Sequence, residues 1–155
     1  MTRHRVAVTG LGCVTPLGRS MSATWTALTE GKSGITPISF FDATGYPSSI
    51  AGEAQGFDPL ERLSNKESRK MDRFVQLGMV AGLEAYDDAG LNGELDKERF
   101  GVLIGAGIGG LETIERTTNT LLEKGPKRVS PFYIPSSIIN TVSYTHLTLP
   151  TILLV

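Results

Sequence analysis

The chain has 155 residues, 40% of them hydrophobic and 20% charged, with a formal net charge of −1. That composition fits one ordinary globular domain and excludes a disordered chain; the near-neutral charge gives no global field for nucleic acid or an anionic membrane surface. Cys13 is the only cysteine, which excludes an intrachain disulfide and a four-thiolate metal site and suits a reducing compartment.

Residues 1–20 carry Arg3 and Arg5, but Gly10, Gly12 and Pro16 break the apolar stretch, so no secretory signal is read. Arg5–Thr9 (RVAVT) is β-branched and ends at Gly10, which predicts a buried strand. Gly10, Gly12, Pro16 and Gly18 then predict a loop. A helix is expected from Ser20 to Glu30, with Ser20 as N-cap, Trp25 and Leu28 on one face and Gly31 as the C′ residue. Residues 32–62 read as irregular, anchored by Phe40, Phe41, Tyr46 and Pro47.

Ser64 and Glu67 have capping-box spacing. One long helix is expected over Lys66 to Ala89, with Met71, Phe74, Val75, Met79, Leu83 and Tyr86 at helical spacing. Phe74, Gly78, Gly82, Ala85 and Ala89 make a stripe of mostly small residues. Each interior glycine costs ~1 kcal/mol against alanine, which is tolerable where another backbone approaches closely. Phe100–Ile104 (FGVLI) predicts a second buried strand, followed by a glycine loop, a helix over Leu111 to Glu123, a basic turn over Lys124 to Ser130 and a further helix from Pro131. Strands alternating with helices predict an α/β fold with parallel strands. Two strands make a poor parallel sheet, so the fold reads as incomplete. The apolar run Leu147 to Val155 is far short of the ~20 residues of a spanning helix.

Gly105, Gly107 and Gly110 match G-x-G-x-x-G after a predicted strand and before a helix, so a nucleotide-binding module remains open as the lowest alternative. The other reading is a tight turn with close helix–strand packing. Thr9 to Gly12 (TGLG) lacks the third glycine and reads as a structural turn. Cys13 has no histidine at an informative spacing and reads as a small buried thiol. Lys66, Arg69, Lys70 and Arg73 line one basic face, and Lys127 and Arg128 form a second basic turn. These are solvated charges or a dock for an acidic partner.

Four strings occur in order: Arg5 to Gly18 (RVAVTGLGCVTPLG), Arg69 to Asp72 (RKMD), Ile104 to Gly110 (IGAGIGG) and Ser130 to Asn140 (SPFYIPSSIIN). Together they resemble the N-terminal portion of the β-ketoacyl-acyl carrier protein synthases, condensing enzymes of the thiolase fold. The resemblance implies residues 1–141 of an incomplete N-terminal half of a thiolase-like fold, with layered helices and a mostly parallel sheet. It implies acyl-chain elongation by decarboxylative Claisen condensation with malonyl-acyl carrier protein in fatty acid biosynthesis. A non-catalytic chain-length partner or a ketosynthase of a polyketide synthase is the alternative. The family needs no organic cofactor or metal. The implied partners are acyl carrier protein and, in the full-length parent, a second copy; neither nucleic acid nor membrane is implied, and the setting is cytoplasmic.

By the same resemblance Ile108 matches the residue that gates the acyl pocket. Tyr133 and Ile134 match positions lining the acyl pocket of the second subunit. Lys66, Arg69 and Lys70, with Lys127 and Arg128 from the other copy, match the basic patch that meets the carrier protein. The family's nucleophilic cysteine and its two histidines lie beyond the SSIIN string, and Cys13 does not match the nucleophile's motif, so no catalytic residue is assigned and the chain alone is expected to be inactive. Residues 142–155, including VSYTHLTLPT, resemble a translated sequencing adaptor and are expected to be a non-native tail, with no role for His146.

Overall fold

The structure is a computed structural model and describes residues 5–91 and 98–140. His4, the expected tail and His146 lie outside these. Two compact units divide the chain.

The first unit holds residues 5–58 and 81–91. Helix α1 is Met21–Thr29, and the Ser20 hydroxyl caps it by accepting from the Ala23 amide at 3.2 Å. Gly31 ends it at φ +70°: its N–H donates to Leu28 O, and that of Lys32 to Ala27 O. These are the two bonds of a Schellman motif. The buried side of α1 is Thr24 and Ala27, whereas Trp25 and Leu28 are exposed. Strands β1 (Thr36–Pro37) and β2 (Ile50–Ala51) pair antiparallel. Between them Phe40, Phe41 and Tyr46 are exposed, with Phe41 and Tyr46 in edge contact at 5.6 Å. These rings therefore do not anchor the segment. Glu53 does: its carboxylate accepts from the Ser39 amide and hydroxyl and from the Phe40 amide.

The second unit holds residues 59–80 and 98–140. Helix α2 (Asn65–Ser68) starts on the predicted capping box: the Glu67 amide donates to the Ser64 hydroxyl, and the Ser64 amide to the Glu67 carboxylate. The expected long helix is broken after this single turn. It resumes as α3, Arg73–Asp88, whose residues 73–80 belong here and 81–88 to the first unit. The break has a local cause. Asp72 accepts from the Phe74 amide at 3.3 Å and caps a new helix start. Gln76 Nε2 then donates to the Ser68 carbonyl and hydroxyl and fixes the turn between α2 and α3. Val75 and Met79, one turn apart on α3, are fully buried. Helix α4 is Leu111–Lys124, a 3-10 turn covers Pro126–Arg128, and α5 is Tyr133–Ser137.

Neither Arg5–Thr9 nor Phe100–Ile104 is a strand. Both are correctly apolar, but a strand exists through its ladder partners, and among the described residues neither segment has one. Val6 is accordingly 94% exposed and Leu103 100%. Two residues of the small-residue stripe, Ala85 and Ala89, meet a close backbone approach within the first unit. A Cβ at Gly10 would lie 2.2 Å from the Ala85 carbonyl oxygen, and one at Gly12 2.1 Å from that of Ala81. The glycine loop thus lies directly on the α3 backbone, the close approach that the stripe predicts.

Candidate functional site

The candidate residues all fall in the second unit. Lys66 on α2, Arg69 and Lys70 in the following turn, and Lys127 and Arg128 in the 3-10 turn are exposed. Burial of Ser68 against Gln76 turns the cationic side of this segment to water. The Lys70 ammonium lies 5.4 Å from the centre of the Phe132 ring, a cation–π contact. That contact joins the basic turn after α2 to the segment leading into α5, where Tyr133 is half-buried and Ile134 exposed. Arg128 and Tyr133 border one recess.

Ile108 is 77% exposed in the turn ahead of α4. The end of this turn is clamped. The Gly110 amide donates to the Ser137 carbonyl at 3.0 Å, and the Asp72 carboxylate accepts from the buried Thr113 amide at 2.9 Å. Gly109 needs its φ of +89°, and a Cβ on Gly110 would sit 2.7 Å from Ser137 Cα. The turn carrying Ile108 is therefore seated on the C-terminal end of the helix carrying Tyr133 and Ile134.

The same clamp decides against the nucleotide reading of G-x-G-x-x-G. A pyrophosphate would occupy the first-turn amides of α4, but the Asp72 carboxylate already accepts from one of them. A Cβ at Gly105 or Gly107 would meet nothing within 4 Å, so the turn's packing does not demand glycine at either position.

Cys13 is half-buried, with Sγ 3.7 Å from Met21 Sδ and 3.5 Å from Thr24 Oγ1. Its amide donates to the Glu84 carboxylate. Among the described residues no group of His, Cys, Asp or Glu is arranged to hold a metal ion, and no helix is long and apolar enough to cross a membrane.

Residues 3–147 match the family described as beta-ketoacyl synthase, N-terminal domain. The chain belongs to the β-ketoacyl synthase family. It is 49% identical over 144 residues to the 3-oxoacyl-[acyl-carrier-protein] synthase 2 of Vibrio harveyi, covering 92% of this chain and 35% of that protein. The same enzyme of Coxiella burnetii is 48% identical over 144 residues, with the same shares covered. The chain thus spans about a third of the length of the curated relatives it matches. Among solved structures, the ishigamide ketosynthase/chain length factor matches 97% of this chain and 38% of its own at a TM-score of 0.76 and 26% identity. A type II polyketide ketosynthase, solved with its acyl carrier protein and bound to the hexaketide, matches 94% of this chain and 40% of its own at 0.77 and 26%. The incomplete α/β ketosynthase fold expected from the sequence is the fold of this family, even though the two predicted strands have no ladder among the described residues.

Sequence reasoning missed the carboxylate that positions the site. Asp72 caps α3 and holds the first turn of α4, and no spacing rule links it to Thr113, 41 residues away. Its place in the RKMD string was the only signal.

Proposed function

We propose that the chain is part of an elongating β-ketoacyl-acyl carrier protein synthase of fatty acid biosynthesis. In this reaction the α-carbon of malonyl-acyl carrier protein loses its carboxylate as carbon dioxide and bonds to an acyl thioester's carbonyl carbon, whose C–S bond breaks to release the thiol. The observation that carries the reading is the 49% identity over 144 residues to a 3-oxoacyl-[acyl-carrier-protein] synthase 2. In it, Lys66, Arg69, Lys70, Lys127 and Arg128 meet the acidic carrier protein, Ile108 gates the acyl group, and Tyr133 and Ile134 line the pocket of a second copy in a homodimer. The setting is the cytoplasm. The exposure of all five cations supports the docking role. Cys13 does not match the nucleophile's motif, and the only histidines are His4 and His146, so the 155-residue chain alone should give no condensation product.

The docking half is tested by titrating acyl carrier protein into the chain and into a K66E/R69E/K70E variant. Reversing three exposed charges should weaken binding by at least about tenfold and flatten its salt dependence. Equal affinity in the two proteins would remove the basic face from the reading. A chain-length partner or polyketide ketosynthase is the second reading, favoured by the two structural neighbours named above. The residue at the family's nucleophile position, outside these 155 residues, separates a catalytic from a non-catalytic member.

A further inference from the structure

We infer that the recess bounded by α4, the Pro126–Arg128 turn and the start of α5 binds a tetrahedral oxyanion, either free phosphate or the phosphate group of a small ester. The recess has a volume of about 130 Å³, and its lining includes Arg116 and Arg128 but no acidic residue. Neither arginine forms an ion pair among the described residues. Two cationic side chains on one small recess with no acidic lining residue give it a positive potential that a dianion would neutralise. Guanidinium forks match tetrahedral oxyanions bidentately.

The hydroxyls of the lining are arranged to help. Arg116 directs one N–H to Thr113 Oγ1 at 3.4 Å, which leaves the rest of its fork to donate elsewhere. Ser130 Oγ accepts from the Phe132 amide at 3.1 Å, so its hydroxyl hydrogen remains available. Thr117 and Tyr133, each bearing a hydroxyl, belong to the same lining. Thr120 and Ser136 instead donate to main-chain carbonyls at 2.9 and 2.7 Å. Arg116 also borders a second recess containing Asp72 and Glu112. Asp72 accepts from the Thr113 and Phe74 amides and keeps its negative charge, so Asp72 and Glu112 both offer Arg116 a carboxylate on that side.

This inference does not rest on the carrier-protein reading. Arg128 belongs to both, Arg116 only to the recess, and Lys127 only to the docking face. The test is calorimetric titration of inorganic phosphate, and separately of phenyl phosphate, into the 155-residue chain at ionic strength held constant with sodium chloride. Saturable one-to-one binding of at least one probe is expected. R116Q and R128Q should each weaken it by at least about tenfold, R116K should also weaken it because the fork is lost, and K124Q, an exposed cation outside the lining and the docking set, should leave it unchanged. Preference for one probe identifies free phosphate or an ester as the source. No saturable binding of either probe overturns the inference, as does an equal loss in K124Q, which would indicate diffuse charge. Loss of carrier-protein docking with phosphate binding intact overturns only the docking reading.

Discussion

Replacing Glu84 should release both the glycine loop and the start of α1. Its Oε2 accepts from the Cys13 amide at 2.9 Å and its Oε1 from the Met21 amide at 2.8 Å. Met21 is the first residue of α1, so the carboxylate also faces the positive end of that helix. Hydrogen bonds to a charged group contribute ~1.5–3 kcal/mol each. Both bonds here are only part-buried, so the lower figure applies, and together they contribute ~3 kcal/mol. Glu84→Ala removes both, whereas Glu84→Gln keeps one acceptor oxygen and about half the effect. Amide hydrogen exchange reads this locally. In Glu84→Ala the Cys13 and Met21 amides should each exchange about tenfold faster, since each loses ~1.5 kcal/mol and 1.4 kcal/mol corresponds to about tenfold. In Glu84→Gln one of the two should keep its protection. Unchanged exchange at both positions in Glu84→Ala would refute the idea that this carboxylate holds the loop.

Two further outcomes follow from the other carboxylates. Asp72→Ala leaves the buried Thr113 amide without its acceptor, a loss of ~2 kcal/mol; the Thr113 amide should lose its exchange protection, and Asp72→Asn should restore part of it. Glu53 is held below the ordinary glutamate value of 4.5, first by the Ser39 hydroxyl and then by the main-chain amides of Ser39 and Phe40. A depressed folded-state value means that Glu53 stabilises its loop above 4.5 and that the contribution fades as pH falls through the lower folded value. After correction for intrinsic rates, the Ser39 and Phe40 amides should therefore lose protection as pH falls below that value, and Glu53→Gln should abolish the pH dependence.

What the sequence made legible is what is encoded locally. Ser20, Gly31, the Ser64/Glu67 box and the limits of α4 each depend on neighbours within a few residues, and each is found where expected. The stripe on α3 was legible as a need for close approach, but nothing in it named Gly10 and Gly12 as the partners. Arg5–Thr9 and Phe100–Ile104 were misjudged because apolar β-branched runs specify a willingness to pair, while the ladder needs a second strand. The aromatic residues of 40–46 were misjudged for a related reason: a lone ring in an irregular segment packs only if a surface is offered to it. The basic face was legible as a run of cations. Its link to α5 through Lys70 and Phe132 was not, because the positions between them carry no pattern joining an ammonium to a ring. Charged side chains that grip main-chain amides were the least legible, since an amide is present at nearly every residue and marks no particular partner.

The turn before α4 gives the sharpest contrast between a packing motif and a ligand motif, because the two make opposite demands on the same glycines. A phosphate cradle needs glycine at 105 and 107, where the ligand approaches the backbone. In this chain neither position has a positive φ, and an added Cβ would meet nothing within 4 Å. Gly105→Ala and Gly107→Ala should therefore be neutral or slightly stabilising, by ~0.4–1 kcal/mol through the less flexible unfolded chain. Gly110 is the reverse case. A Cβ there would stand 2.7 Å from Ser137 Cα, 3.1 Å from Asp72 Oδ2 and 3.2 Å from the Ser136 carbonyl oxygen. Two of those three atoms are main chain and cannot rotate away, so Gly110→Ala must part the turn from α5 or push Asp72 off the Thr113 amide. Overpacking of this kind costs ~1–3 kcal/mol, and the lost Thr113 bond adds to it. Exchange of the Gly110 and Thr113 amides measures both effects: each should accelerate in Gly110→Ala and stay unchanged in Gly107→Ala. Equal sensitivity at 107 and 110 would mean that something other than packing against α5 fixes the turn that carries Ile108.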